Sequence, residues 1–201
     1  NKDGQLALSD FVGRAPIFLN FMRDLHCPFC RRAMAQIQQI DKQLEGMGVE
    51  SAMVIVTPLD RAQAYFRYRP TSILAGTDPT VDSYRSYGVP LQEFTESEDA
   101  WPTKASMKTI TEVPIDAGGY VDPPTGLFPA MVAKNEAEGY KETPEEEKGH
   151  MSVPSPLDTR FMIDKDGVVR WVFIEAEDGV EDFGKLPGTE QILEAARSVA
   201  I

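Results

Sequence analysis

Cys27 and Cys30, the only two cysteines in 201 residues, constrain this chain more than any other feature. They lie in LHCPFCRRAM at residues 25–34. A mostly apolar run of strand length, APIFLNFM at residues 15–22, leads into them, and an amphipathic helical pattern follows at once. Two thiols so spaced can close a disulfide across the first turn of a helix and reopen it. The first cysteine of such a pair stands where helix N–H groups are unpaired and the dipole is positive. That placement favours the thiolate and lowers an ordinary thiol pKa of about 8.5 to between about 3.5 and 7.5. Arg23, Arg31 and Arg32 add positive charge nearby in sequence, and Pro28 has no N–H to lose at the start of the helix. Cys27 is therefore expected to attack, and Cys30, one turn further in and more shielded, to resolve the mixed disulfide.

Two blander readings are weaker. Half a zinc site needs two more ligands, and besides carboxylates only His26 and His150 are on offer, one adjoining Cys27 and the other in a polar segment. A static disulfide closing so short a loop removes little unfolded-chain entropy, so a purely stabilising bridge explains the pair poorly. Redox exchange without cofactor or metal is the expectation.

The length fits one domain spanning residues 1–201, able to bury a proper core. With 32 acidic against 20 basic residues, the net charge is -12, which opposes attraction to phosphate backbones or anionic lipid. Neither nucleic acid nor a membrane is expected as partner, since no apolar run approaches a membrane span. NKDGQLALSD at residues 1–10 has neither the basic start nor the apolar core of a signal peptide. A cytoplasmic protein is the expectation, with an export signal removed upstream as the alternative.

Along the chain, Ala33, Ile37, Ile40, Leu44 and Met47, widened by Met34, form one helical stripe that ends at Gly46 and Gly48. SAMVIV at residues 51–56 reads as a second buried strand, and Pro58 opens a helix carrying Ala62, Tyr65 and Phe66. Strand, helix, strand, helix implies parallel pairing with a right-handed crossover. Residues 70–74 read as a short extended piece, followed by a helix with Asp78 and Pro79 as cap and first turn, ending near Tyr87. Between residues 92 and 157 the periodicity stops and prolines concentrate. Trp101, Met107, Ile110, Tyr120, Leu127, Phe128, Met131 and Val132 make this insertion too apolar to be wholly disordered, although residues 134–149 read as solvent-facing or mobile. A lid, a homodimer contact and simple decoration are all open for it. Regularity returns with strands at 159–163 and 168–174, joined by a turn at 164–167 with glycine where a positive φ is wanted, and a last helix over 189–199.

This order resembles the thioredoxin fold: an α/β protein with a central mixed β-sheet flanked by helices, and a long irregular insertion before the C-terminal hairpin. Within it the chain is similar to the peroxiredoxin-like AhpC/TSA (redoxin) family. The resemblance rests on LSDFVGRAPIFLNF at 8–21, HCPFCR at 26–31, LAGTDPTVDSYRSYGV at 74–89, FMIDKDGVVRWVF at 161–173 and LPGTEQILEAAR at 186–197. It implies a thiol–disulfide oxidoreductase in which Cys27 attacks a disulfide of a protein or small molecule, or a peroxide. Cys30 then closes the internal disulfide, and a thioredoxin-like or glutathione-linked reductant reopens it. The dipeptide Pro28 and Phe29 is also similar to that of glutaredoxins. A peroxidase at the same site and a redox-sensing or binding module are the competing readings.

Two positions depart from the family pattern. Asp24 stands where peroxiredoxins carry a threonine three residues before the attacking cysteine, and Asp158 or Thr159 falls where they carry an arginine. Arg23, Arg31 and Arg160 are the candidate substitutes, with Arg160 read as a surface charge. The fold also implies a cis-proline opposite the thiols, for which Pro156 is the first candidate and Pro154 the second. Pro28, Phe29, Arg31 and Pro156 are thus the expected substrate-binding or supporting residues, with Phe29 on an apolar rim. Trp101 is read as packing.

Overall fold

The run at residues 17–22 becomes β1 (Ile17–Met22), every residue of which is buried. A strand buried on both faces belongs at the centre of a sheet covered on both sides. β1 pairs in parallel with β2 (Glu50–Ile55), Ile17 opposite Glu50, and antiparallel with the strand from Thr159 to Ile163, Ile17 opposite Ile163. The computed structural model describes residues 4–141, 143–144 and 154–200.

The crossover from β1 to β2 is α1 (Pro28–Gly46), with Cys27 at its N-cap and Pro28 in its first turn. Its buried stripe includes Ala33, Ile37, Ile40 and Leu44, as the periodicity requires. Gly48, at φ 76°, takes the left-handed conformation that turns the chain into β2. α2 (Leu59–Tyr68) leads to β3 (Leu74–Thr77), which pairs in parallel with β2 and begins where the sequence pattern would have ended it. α3 (Asp82–Ser86) is shorter than its pattern. The Asp78 carboxylate accepts from the Thr80 N–H at 3.1 Å and the Ser83 N–H at 2.8 Å, so it caps this turn from further upstream.

The insertion carries more regular structure than its sequence displays. It holds β4 (Leu91–Thr95), β5 (Lys104–Ser106), α4 (Met107–Glu112), α5 (Leu127–Glu138) and β6 (Ser155–Pro156), whose strands form a second sheet in the order β5-β4-β6. β4 and β6 pair antiparallel, Leu91 opposite Pro156, so the insertion leaves and rejoins the main body at one point. Ala105, Ile110, Ile115, Ala117, Val121 and Leu127 are buried in the same apolar cluster as Ile37 and Leu44. Trp101 packs against this cluster and donates its indole N–H to the Ala176 carbonyl at 2.6 Å. α4 and α5 meet backbone to backbone: a Cβ on Gly126 would lie 1.8 Å from the Thr111 carbonyl oxygen. The start of the stretch expected to face solvent, residues 134–138, finishes α5: Asn135 is buried, while Glu136, Ala137 and Glu138 are exposed. Much of the rest of that stretch lies outside the described residues.

The chain returns through β7 (Thr159–Ile163) and β8 (Val169–Ile174), joined by a turn in which Asp164 accepts from the N–H groups of Asp166 and Val168, and Gly167 has φ 82°. The main sheet has the order β3-β2-β1-β7-β8. The apolar cluster under α1 and α2 also includes Ile192, Leu193 and Ala196 of α6 (Thr189–Val199), and these helices cover one face. Phe11, Val81, Tyr84 and Val89 cover the other. Among the described residues, no helix is long and apolar enough to cross a membrane.

Candidate active site

Both cysteines sit where the sequence puts them, at the mouth of α1, as free thiols. Their surroundings are tighter than expected. Cys27 is only 2% exposed and Cys30 is fully covered, so the Cys27 sulfur is reached from a cavity and not from the open surface. That cavity, about 550 Å3, has Cys27, Arg23, Asp24 and His26 in its wall. Its apolar wall comes from both parts of the fold: Phe183 from the main body, and Phe94, Leu127, Phe128 and Met131 from the insertion.

One cation governs the thiols. Arg23 follows β1 directly, is 5% exposed, and brings Nη2 to 3.6 Å from the Cys27 sulfur. Its guanidinium is fixed by Glu175, through Nη1 to Oε2 at 2.5 Å and Nη2 to Oε1 at 3.3 Å, by the Pro156 carbonyl at 3.3 Å, and by stacking 4.3 Å over the Phe183 ring. A buried charge of this kind is tolerable only when paired and hydrogen-bonded, and Glu175 at the end of β8 supplies both conditions. The Glu175 carboxylate also accepts from the Gly184 N–H at 2.9 Å.

The electrostatics separate the two sulfurs. Burial pushes the Cys27 thiol up, but the hydrogen bond from Cys30 and the charge of Arg23 outweigh it, and Cys27 ends below the usual thiol range. Burial pushes Cys30 well up, and its hydrogen bond toward Cys27 and the nearby Asp158 carboxylate push the same way. The Cys30 thiol donates to Asp158 Oδ1 at 3.5 Å, a long contact of the kind sulfur makes. Asp158 is 2% exposed, accepts from the Arg23 N–H at 3.2 Å, and has its other oxygen, Oδ2, without a partner. Burial, with Glu175 adding to it against the pull of Arg23, raises the Asp158 carboxyl to about 6. The Cys27 thiol, held below its usual range, the Cys30 thiol, held above it, and the Asp158 carboxyl, raised to about 6, therefore lie together in one buried site.

The remaining expected residues scatter. Pro28 is buried in the first turn of α1. Phe29 is not a rim residue: at 1% exposure it is wedged edge-on between Tyr120 and Phe183, because the first turn of α1 faces the insertion. Arg31 turns away from the sulfurs and ties the loop and α1 to α5, donating to the Leu25 and His26 carbonyls, to Asn135 Oδ1 at 2.6 Å and to Glu138. Pro156 lines the cavity, but its peptide bond is not cis; among the described residues the cis bonds precede Pro102 and Pro123. Arg160 is not a surface charge. It is 1% exposed, because β7 is an interior strand, and donates to Gln36 Oε1 at 2.8 Å. Of the three candidate arginines, Arg23 alone contacts the Cys27 sulfur among the hydrogen bonds of the described residues. Asp24 holds the Cys27 N–H at 2.9 Å and His26 Nδ1 at 2.7 Å. His150, weighed as a zinc ligand, lies outside the described residues.

Sequence reasoning missed Glu175 as a partner of Arg23 and His26 as a cavity residue. The signal for the first was present: an acidic residue ending the otherwise apolar run WVFIE at residues 171–175 has a reason to be there.

A mixed sheet in this order, with paired thiols opening the helix after its central strand, defines a thioredoxin-fold protein with two neighbouring thiols. The AhpC/TSA family model matches residues 1–123, over half of the chain, and the chain belongs to that family. Comparison with curated proteins gives no match. Among solved structures, the chain is similar to the peroxidoxin BcpB of Mycobacterium tuberculosis, at 12% identity over 96% of this chain and 86% of that one, with a TM-score of 0.55. It is likewise similar to the reduced 2-Cys peroxiredoxin of Plasmodium vivax, at 12% identity, 96% and 69% coverage and TM-score 0.55. The mitochondrial 2-Cys peroxiredoxin of Plasmodium falciparum matches at 15% identity, 96% and 79% coverage and TM-score 0.52. At such identities the likeness is one of fold.

Proposed function

We propose that this protein is a thiol–disulfide oxidoreductase in which Cys27 is the nucleophile and Cys30 the resolving thiol. The observation that carries the reading is the opposed polarisation of the pair: Arg23 at 3.6 Å favours the Cys27 thiolate, while Asp158 at 3.5 Å faces the Cys30 thiol. In the first step the Cys27 thiolate attacks one sulfur of a disulfide R–S–S–R′, forming Cys27–S–S–R and expelling R′–S⁻, which takes up a proton. In the second, Asp158 accepts the Cys30 proton and the new thiolate attacks the Cys27 sulfur, forming the Cys27–Cys30 disulfide and expelling R–S⁻. Two electrons pass from the dithiol to the substrate. A thioredoxin-like or glutathione-linked reductant restores it. The volume and apolar wall of the cavity fit a small-molecule disulfide better than a folded protein surface.

A peroxidase is the second reading, and Arg23 is what favours it. Its guanidinium, 3.6 Å from the Cys27 sulfur, would polarise a peroxide oxygen bound above Cys27, in the role of the family arginine that this chain replaces by Asp158 or Thr159. In that case Cys27 passes through a sulfenic acid, and Cys30 displaces hydroxide from it to form the same disulfide and water.

The Cys30→Ser variant tests the shared site. It should accumulate a stable mixed disulfide on Cys27, visible by mass spectrometry, with the small disulfide that turns over fastest. Rapid mixing of the reduced protein with hydrogen peroxide separates the readings. A rate no better than that of free cysteine eliminates the peroxidase, and failure of Cys30→Ser to trap any disulfide eliminates the oxidoreductase.

A further inference from the structure

The oxidoreductase reading fixes the reaction and leaves open which disulfide enters the cavity. We propose that it is a disulfide carrying an uncharged, apolar substituent, selected by Phe128 and Met131 of the insertion. The proposal rests on the oxidoreductase reading and names the substrate class of the same site.

The two parts of the fold supply different groups to one cavity. The main body brings the Cys27 sulfur to the wall, and α5 brings Leu127, Phe128 and Met131. Leu127 is buried, while Phe128 and Met131 are half-buried: they pack against the core and keep surface free for a ligand. Three residues apart on α5, they share one side of the helix, and a ring beside a thioether makes an apolar surface that fits an alkyl or aryl group. Phe94 of β4 braces Phe128 edge-on, with ring centroids 5.6 Å apart. This surface is also held in a fixed relation to the sulfur. Arg31 ties α1 to α5, donating to Asn135 Oδ1 at 2.6 Å and to Glu138 Oε2 at 2.9 Å. β4 pairs with β6, and the Pro156 carbonyl of β6 accepts from Arg23, the cation beside Cys27. A preformed wall of this kind discriminates by the apolar area that a ligand buries on it.

Charge points the same way. Several polar groups of the wall are turned toward the protein: Arg23 is held by Glu175, Asp24 holds His26 and the Cys27 N–H, and Thr57 Oγ1 accepts the Leu25 N–H at 3.0 Å. A charged substituent placed there gives up hydration for little in return. The net charge of -12 also weakens the approach of an anionic disulfide. The covalent step keeps its balance: Cys27–S⁻ attacks R–S–S–R, that S–S bond breaks, Cys27–S–S–R forms, and R–S⁻ leaves and takes a proton from water. The R group that stays on Cys27 is the one that lies on the wall.

A homologous series gives the test. Reduced protein is mixed under single-turnover conditions with dimethyl, diethyl and dipropyl disulfide and with glutathione disulfide, which is anionic. Each rate is divided by that of free cysteine with the same disulfide, which removes intrinsic reactivity. A buried methylene is worth about a fourfold rise, so the quotient should climb about 15-fold from dimethyl to dipropyl disulfide. Glutathione disulfide should fall below dipropyl disulfide. In Phe128→Ala and Met131→Ala the span should contract to about fourfold or less, whereas Phe128→Leu, which keeps an apolar side chain and guards against loss of the fold, should retain most of it. A flat series in the wild type, or a quotient highest for glutathione disulfide, overturns the apolar selection. A span unchanged in either alanine variant, as when all members lose rate equally, overturns the role of that residue, because a merely structural part affects every disulfide alike. A wild type no faster than free cysteine toward every disulfide overturns the oxidoreductase reading itself.

Discussion

Replacing Asp158 by asparagine should make the protein more stable and a poorer catalyst. The carboxyl is buried, one of its oxygens has no partner, and its pKa rises from 3.8 to about 6. At 1.36 kcal/mol per pKa unit, the ionised form is disfavoured in the folded state by about 3 kcal/mol. Because the folded-state value lies above the unfolded one, the associated stability is fully present below pH 3.8 and is lost as the pH rises through about 6. The pKa shift already contains the attraction to Arg23, whose Nη1 lies 3.9 Å from Oδ1. Asparagine carries no charge to desolvate, so the net gain at pH 8 is at most about 3 kcal/mol, and Tm rises by roughly 2 to 4 °C per kcal/mol for a chain of this size. Urea unfolding of both proteins between pH 4 and pH 8 measures it, and the two curves should converge at the acid end. In the same variant the trapped mixed disulfide should form at an undiminished rate yet resolve about tenfold or more slowly, since Cys30 has lost its proton acceptor. A variant no more stable at pH 8, with a gap to wild type independent of pH, would refute the electrostatic account of this carboxyl. Unchanged resolution would refute its role as a base.

Two further substitutions test the site and its frame. Arg23→Gln removes the cation beside Cys27, so the pH midpoint of Cys27 alkylation by iodoacetamide should move up. It also leaves Glu175 buried without its partner, at about 3 to 5 kcal/mol of stability; an unmoved midpoint means that Arg23 does not set the thiolate. Gly126→Ala drives a Cβ to 1.8 Å from a backbone oxygen and should cost about 3 kcal/mol in thermal unfolding. Gly188→Ala, where nothing lies within 4 Å, should cost less than about 1 kcal/mol. Equal losses at the two glycines would mean that α4 and α5 can move apart.

The parts of this fold legible in the sequence are those stabilised by long apolar periodicities. β1, α1, β2 and α6 each bury a continuous face, and that face is written in the order of their residues, while the 164–167 turn is read from its aspartates and Gly167. The insertion was not legible, because its elements are short and stabilised by individual contacts. α4 is six residues long, and Ser106, its cap, is oriented by Asp99, seven residues away. α5 buries Leu127, Ala130 and Asn135, which mark no clean apolar stripe. The place of the cysteine pair could be read from spacing, since it opens α1 as the pattern requires. The supporting charges could not. Arg23 meets Glu175 across 152 residues, and Arg160 meets Gln36 across 124, so neither pairing leaves a local trace. Pro156 was correctly placed near the site, but the requirement of a cis bond came from the fold alone, and pairing with Leu91 in β6 gives this proline another task.

That pairing has an evolutionary consequence. Since the chain departs at Leu91 and comes back opposite it at Pro156, the described part of the insertion joins the main body at a single port. Lineages could lengthen, shorten or exchange the insertion without shifting the register of the five-stranded sheet or the spacing of the two sulfurs. The chemistry and the choice of molecule it acts on would then diversify on separate clocks.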